Sequence, residues 1–214
     1  ALTALTSGAG NVAVGYQSLD ACTNSNGNTA VGHESLSALA GTSGNTGNTG
    51  VGYQAGGAMT DGVYSTYVGY QAGLGSTASD NYNVAVGAIA LKVVTSGDGN
   101  TCIGYAAGDV ITTGSNNVLI GNSSDVGDSG VNSGIAIGTG CIQGSDDHAA
   151  IGSASYTTAI NFGGSGNSWG ATSDVRIKRD IVDTDLGLEF INKLRPIKYK
   201  DKPTSEWSKE FNMQ

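Results

Sequence analysis

The 214-residue chain holds 35 glycines and only 13% charged residues, yet 38% of it is hydrophobic, a balance that argues against a disordered low-complexity polymer. Its charge is divided: residues 1–172 carry ten acids against one base (Lys92), and residues 173–214 carry eight acids against nine bases. An acidic body speaks against nucleic acid, which needs clustered Lys and Arg. No apolar run reaches the roughly 18 residues of a membrane span, and three dispersed cysteines (Cys22, Cys102, Cys141) give neither a disulfide framework nor a CxxC metal site.

In chain order, one short motif dominates. "NVAVG" at 11–15 recurs as "NTAVG" at 28, "NTGVG" at 48, "STYVG" at 65, "NVAVG" at 83, "NTCIG" at 100 and "NVLIG" at 117. Looser copies, "GIAIG" at 134 and "HAAIG" at 148, close the series. The closing glycines, Gly15 to Gly152, are spaced 17, 20, 17, 18, 17, 17, 17 and 14 residues apart. The opening "ALTALTSGAGN" aligns with "ALKVVTSGDGN" at 90–100, so Ala1 falls mid-repeat and further repeat is expected before it. This period is too short for a helical repeat or a propeller blade.

Within a unit, apolar residues alternate as in a strand: Val12 and Val14 share one face, Ala13 and Gly15 the other. A second apolar patch such as "LKVV" at 91–94 reads as another short strand, and Ser/Thr/Asn/Gly runs supply the corners. Stacked units of this kind make an all-β, parallel β-solenoid. Its interior column is expected to be Val14, Val31, Val51, Val68, Val86, Ile103, Ile120, Ile137 and Ile151. The preceding column is mostly small: Ala13, Ala30, Gly50, Tyr67, Ala85, Cys102, Leu119, Ala136 and Ala150. Beside a recurrent glycine, such residues permit close backbone approach, either within a coil or, the favoured reading, between chains of an oligomer. Cys102 reads as a small packing residue there.

The N-x-A-V/I-G units resemble the head repeats of trimeric autotransporter adhesins, and the "NTAVGYQAL"-type repeats of phage tail fibres. Over residues 1–152 this resemblance implies a left-handed β-roll, three chains side by side.

Other constellations carry less. His33 takes the slot of Tyr16, Tyr53, Tyr70 and Tyr105, and His148 replaces an opening asparagine, so both read as repeat variants. "GDGN" at 97–100 and "SDD" at 145–147 read as turn acids, because the calcium nonapeptide is absent. The tyrosine row could stack sugars, but such rows usually cover their own coil. Scattered acids (Asp20, Glu34, Asp61, Asp80, Asp98, Asp109) do not make the paired carboxylates of a glycosidase. No Gly-rich loop precedes a helix, so a nucleotide site has no support; no cofactor or metal is expected.

Residues 153–172 read as a Gly/Ser-rich connector with Phe162 and Trp169. Beyond it, Asp183 or Thr184 can cap a helix with Leu186, Phe190 and Leu194 on one face, Pro196 stops it, and "IKYK" at 197–200 reads as a strand. This short α/β segment, residues 173–214, forms a separate module. Its "SDVRIKRDI" resembles the opening of the intramolecular chaperone domain of phage tail spikes, tail fibres and endosialidases. That resemblance implies trimer assembly followed by self-cleavage at Thr172–Ser173, with Ser173 as nucleophile and Lys178 as its partner. A buried lysine of lowered pKa can take a serine proton. The family's domain runs longer, so the present chain is expected to stay uncut.

The expectation is therefore a structural phage tail fibre or tail spike protein of the virion. Its expected partners are two further copies of itself, other tail proteins and a host cell-surface receptor or glycan, without nucleic acid or membrane insertion. The alternative is a trimeric adhesin on a bacterial surface.

Overall fold

The computed structural model describes residues 1–40, 44–77 and 81–161. Among them there is no helix, and nine short strands stack in chain order as a parallel β-solenoid. The strands are Val12–Val14, Thr29–Val31, Thr49–Val51, Thr66–Val68, Val84–Val86, Thr101–Ile103, Val118–Ile120, Ile135–Ile137 and the longer His148–Ser153. Each pairs with its equivalent one coil on, so like positions lie in line: Val14 with Val31, Val68 with Val86, Ile120 with Ile137. A tenth strand, Tyr156–Asn161, turns back antiparallel against His148–Ser153 and covers the edge that the last coil would leave open.

Backbone signs explain why the repeated strands are short. The residue before the motif's opening Asn, or Ser65 in one coil, is left-handed in coil after coil: φ is 70° at Gly10, 72° at Gly27, 56° at Tyr64 and 59° at Tyr82. The closing glycines lie at φ between 127° (Gly15) and 146° (Gly152), where an L side chain is strained. An added Cβ at Gly15, Gly32, Gly52, Gly69, Gly87, Gly104, Gly121 or Gly138 would also overlap the next closing glycine's carbonyl. The close approach inferred from the sequence is thus real, and it joins successive coils of one chain.

The alternation is as expected, but the faces are reversed. The small column is the interior: Ala30, Tyr67, Ala85, Cys102, Leu119 and Ala136 have no accessible surface. The nine Val/Ile residues do stack, but outward; Val14 is 57% exposed and Ile151 46%. The favoured assignment of the small column to contacts between chains is likewise corrected, because those side chains point into their own coil. The bulk comes from across the coil, where Leu19, Leu36 and Leu91 fill the interior and Cys22, Leu39, Met59, Val94 and Ile111 close its far corner. With leucines reaching across so narrow a coil, the facing strand has space only for small side chains.

"LKVV" is not a strand. Residues 91–93 are a turn, and Leu91 sits at φ 50°. Two-residue ladders occur opposite the main sheet at only two places among the described residues, Ser25–Asn26 with Gly44–Asn45 and Asp125–Val126 with Ile142–Gln143. Elsewhere the return path bonds directly to the next coil, as in Leu91 N–H to Ala107 C=O at 2.9 Å.

A buried polar ladder runs beside the strands. Asn28, Asn48, Asn83, Asn100 and Asn117 have no accessible surface. Each accepts at Oδ1 from the backbone N–H of the equivalent residue one coil on, at 2.8–3.1 Å in Asn48 to Ser65, Asn83 to Asn100, Asn100 to Asn117 and Asn117 to Gly134. In Asn48, Asn83, Asn100 and Asn117 the Nδ2 donates to a carbonyl of its own coil, as Asn100 does to Gly114 C=O at 2.9 Å. Ser65 fills one rung with its hydroxyl, accepting from Asn83 N–H at 3.2 Å. Each asparagine thereby satisfies backbone groups that no strand pairs.

Candidate functional site

Two features on the outside of the coils stand out. The first is the apolar sheet face, made of Val12, Val14, Val31, Ile103, Ile120 and Ile151, all more than a third exposed, with the less exposed, partly buried Val51, Val68, Val86 and Ile137 between them. A solvated strand face is ordinarily polar, and a continuous apolar stripe marks a surface that something covers.

The second feature lies just past the closing glycines. Tyr16, His33, Tyr53 and Tyr70 stack ring on ring, with centroids 5.1, 5.3 and 5.3 Å apart. His33 is thus a rung of the aromatic ladder. The tyrosines do not cover their own coil, for Tyr16, Tyr53, Tyr70 and Tyr105 are all exposed. Beside the rings runs a polar row in which Gln71 Nε2 donates to Gln54 Oε1 at 2.8 Å and Gln54 Nε2 to Glu34 Oε2 at 2.6 Å. Next to its lower end is an open hollow lined by Gln17, Asp20, Glu34, Ser37 and Ala38. A second pair, Tyr64 and Tyr82, stacks at 5.9 Å.

The acids act within turns. Asp98 Oδ1 accepts from Asn81 N–H at 2.7 Å, Asp146 Oδ1 from Asn132 N–H at 2.8 Å, and Asp20 Oδ1 from the Thr3 hydroxyl. His148 Nδ1 lies 2.7 Å from Asp146 C=O. Among the described residues, no three of His, Cys, Asp and Glu converge as metal ligands. Cys22, Cys102 and Cys141 are free and buried, and burial raises the Cys102 thiol far above its usual range, which removes thiolate character.

One acid is different. Asp125 occupies the interior leucine position and is 5% exposed. Its Oδ1 accepts from Val126 N–H at 2.8 Å and its Oδ2 from Val110 N–H at 3.1 Å. Burial first, then a hydrogen bond shared with Asp109, push its carboxyl up to about 7. Nothing in the sequence sets Asp125 apart from the turn acids, whereas the asparagine ladder does leave a signal there, the fixed place of Asn in the motif.

The proposed cleavage site, Thr172 and Ser173, and its partner Lys178 lie outside the described residues, as do Phe162, Trp169 and the helix and strand expected after residue 183. Comparison with protein-family models, with characterised proteins and with solved structures finds no match for this chain.

Proposed function

We propose that this chain is a structural segment of a phage tail fibre or tail spike, a trimeric shaft that carries host attachment. The observation that supports it best is the outward Val/Ile column. Stacking repeats build a rigid rod, and this rod bears an apolar stripe along its length that a single chain leaves in water. Identical chains laid side by side would cover that stripe, with the same residues meeting at every level. The number three, and self-cleavage before Ser173 by a Ser173/Lys178 dyad, come from the resemblance of the repeat and of "SDVRIKRDI" to the two families named above.

The test is where the protein sits. Antibodies raised against residues 1–152 should label the tails of phage particles by immunogold electron microscopy. Label confined to the envelope of uninfected bacteria would overturn the reading. Native mass spectrometry should give three times 21.4 kDa.

A further inference from the structure

The aromatic ladder skips one rung. The row just past the closing glycines runs Tyr16, His33, Tyr53, Tyr70, Ala88, Tyr105. Its backbone is unbroken through the gap: Ile89 N–H donates to Tyr70 C=O at 2.8 Å, Ala106 N–H to Ala88 C=O at 3.0 Å and Ser123 N–H to Tyr105 C=O at 2.8 Å. Ala88 therefore stands in register between two tyrosines, and only a ring is missing. Exposure bears this out. Tyr53, with a ring on either side, is 41% exposed, whereas Tyr70 is 53% and Tyr105 55%. Two coil steps separate these tyrosines, roughly 10 Å along the axis. A ring seated over Ala88 would lie about 5 Å from each, within the range of stacked rings.

We infer that Tyr70, Ala88 and Tyr105 form a binding slot for a single sugar ring, a hexopyranose held between two tyrosine faces. A pyranose offers apolar C–H faces and a rim of hydroxyls. The slot offers a matching arrangement: aromatic walls, a methyl floor at Ala88, phenol hydroxyls at the wall edges, and at its lower side the amide of Gln71, the last of the Gln54–Gln71 row before Ile89. A hydrocarbon ring would use the walls and leave the polar groups idle. From Tyr16 to Tyr70 each ring stacks on the next, whereas Tyr70 and Tyr105 have no ring between them. The inference deepens the attachment reading and rests on it for the source of the sugar, a host surface glycan.

The test uses the full chain with methyl α-glucopyranoside, methyl β-galactopyranoside and N-acetylglucosamine, read by saturation-transfer NMR, with p-cresol as an aromatic control. At least one sugar should receive saturation at its ring protons. Ala88→Tyr, which completes the ladder, should weaken that sugar about tenfold or more, and so should Tyr70→Ala. Circular dichroism unchanged from wild type in Ala88→Tyr shows that the coil is intact. Transfer to no sugar, transfer equal in Ala88→Tyr, or dependence on Ala88 shown by p-cresol alone would each overturn the inference. Failure here with tails still labelled by antibody removes the slot and leaves the fibre reading standing. Label on the bacterial envelope removes the fibre reading whichever sugar binds.

Discussion

Tyr67 and Gly73 occupy one another's space. The Tyr67 ring fills the interior of its coil with no accessible surface, and a Cβ on Gly73 would overlap it. The Tyr67 hydroxyl meets Ser76 Oγ at 3.3 Å, so the far corner turns polar where the ring reaches it. One coil on, the equivalent positions are Ala85, Leu91 and Val94, all buried. The same core volume is thus filled from the strand side in one coil and from the return side in the next. Gly108 repeats the device on a smaller scale, because a Cβ there would contact Cys102 Sγ.

Exchange between coils follows. Gly73→Leu alone should overpack the interior and cost about 3 kcal/mol or more, and Tyr67→Ala alone about 3–5 kcal/mol from its cavity. The triple variant Tyr67→Ala, Gly73→Leu, Ser76→Val copies the neighbouring coil and should recover to within about 1–2 kcal/mol of wild type. Left-handed leucine is already borne at this position, since Leu91 has φ 50°. Urea denaturation of these four proteins and of Ser76→Val alone measures the coupling, and simple additivity would show that the residues do not share one space.

The asparagine ladder makes a second expectation. Asn100 Oδ1 accepts from Asn117 N–H at 3.1 Å and from Asn117 Nδ2 at 2.9 Å, while its own Nδ2 reaches Gly114 C=O. Asn100→Leu would strand those groups where water does not reach, at about 1–3 kcal/mol for each. Thr113→Ala, at an exposed corner, should stay within about 0.5 kcal/mol. Equal losses in the two would mean that the ladder contributes nothing.

The period, the strand and the need for glycine were legible because they repeat. Nine glycines at one position in a motif show a backbone demand, and the structure gives its two causes, a positive φ and the next coil's carbonyl. The choice of face was not legible. Both faces of the strand are apolar, and Val looks more like core than Ala until the coil's width is known. That width is set by Leu36 and Leu91, which sit in a turn whose alternate residues are left-handed, so the apolar run around them imitates a strand. Asn28 and its equivalents stand at the edge of polar runs that resemble solvated corners, and only the folded coil shows their side chains bonded inside it. The tyrosines were visible as a row, but the gap at Ala88 has meaning only with the neighbouring rungs held in register.

Asp125 gives the solenoid a pH dependence of definite sign. An unfolded Asp titrates near 4, whereas burial and the bond shared with Asp109 raise Asp125 to about 7. Between those values the fold keeps a proton that the unfolded chain releases. The stabilisation is fully present below about pH 4 and is lost as pH rises through about 7, with a slope of at most about 1.4 kcal/mol per pH unit. Asp125→Asn, which keeps an acceptor for Val126 or Val110, should flatten that decline and be the more stable protein at about pH 8. Urea midpoints across this range decide it; parallel profiles for the two proteins would assign the proton elsewhere.

Val68 tests which face is the core. Read from the sequence alone, it belongs to the interior, and Val68→Asp should unfold its coil by burying a charge. In the structure Val68 faces outward between Val51 and Val86, while its neighbour Tyr67 points in. A carboxylate at Val68 can therefore stay in water in a single chain, with a loss of about 1 kcal/mol or less. Tyr67→Asp should melt the coil. The assembly proposed above reverses the consequence of Val68→Asp at the next level: copies meeting on the Val/Ile face would bring like charges together in an apolar seam, so the variant should remain folded by circular dichroism yet run as a monomer in native mass spectrometry. A trimer that tolerates Val68→Asp would remove the Val/Ile face from the interface. A coil that melts as readily as Tyr67→Asp would return Val68 to the core.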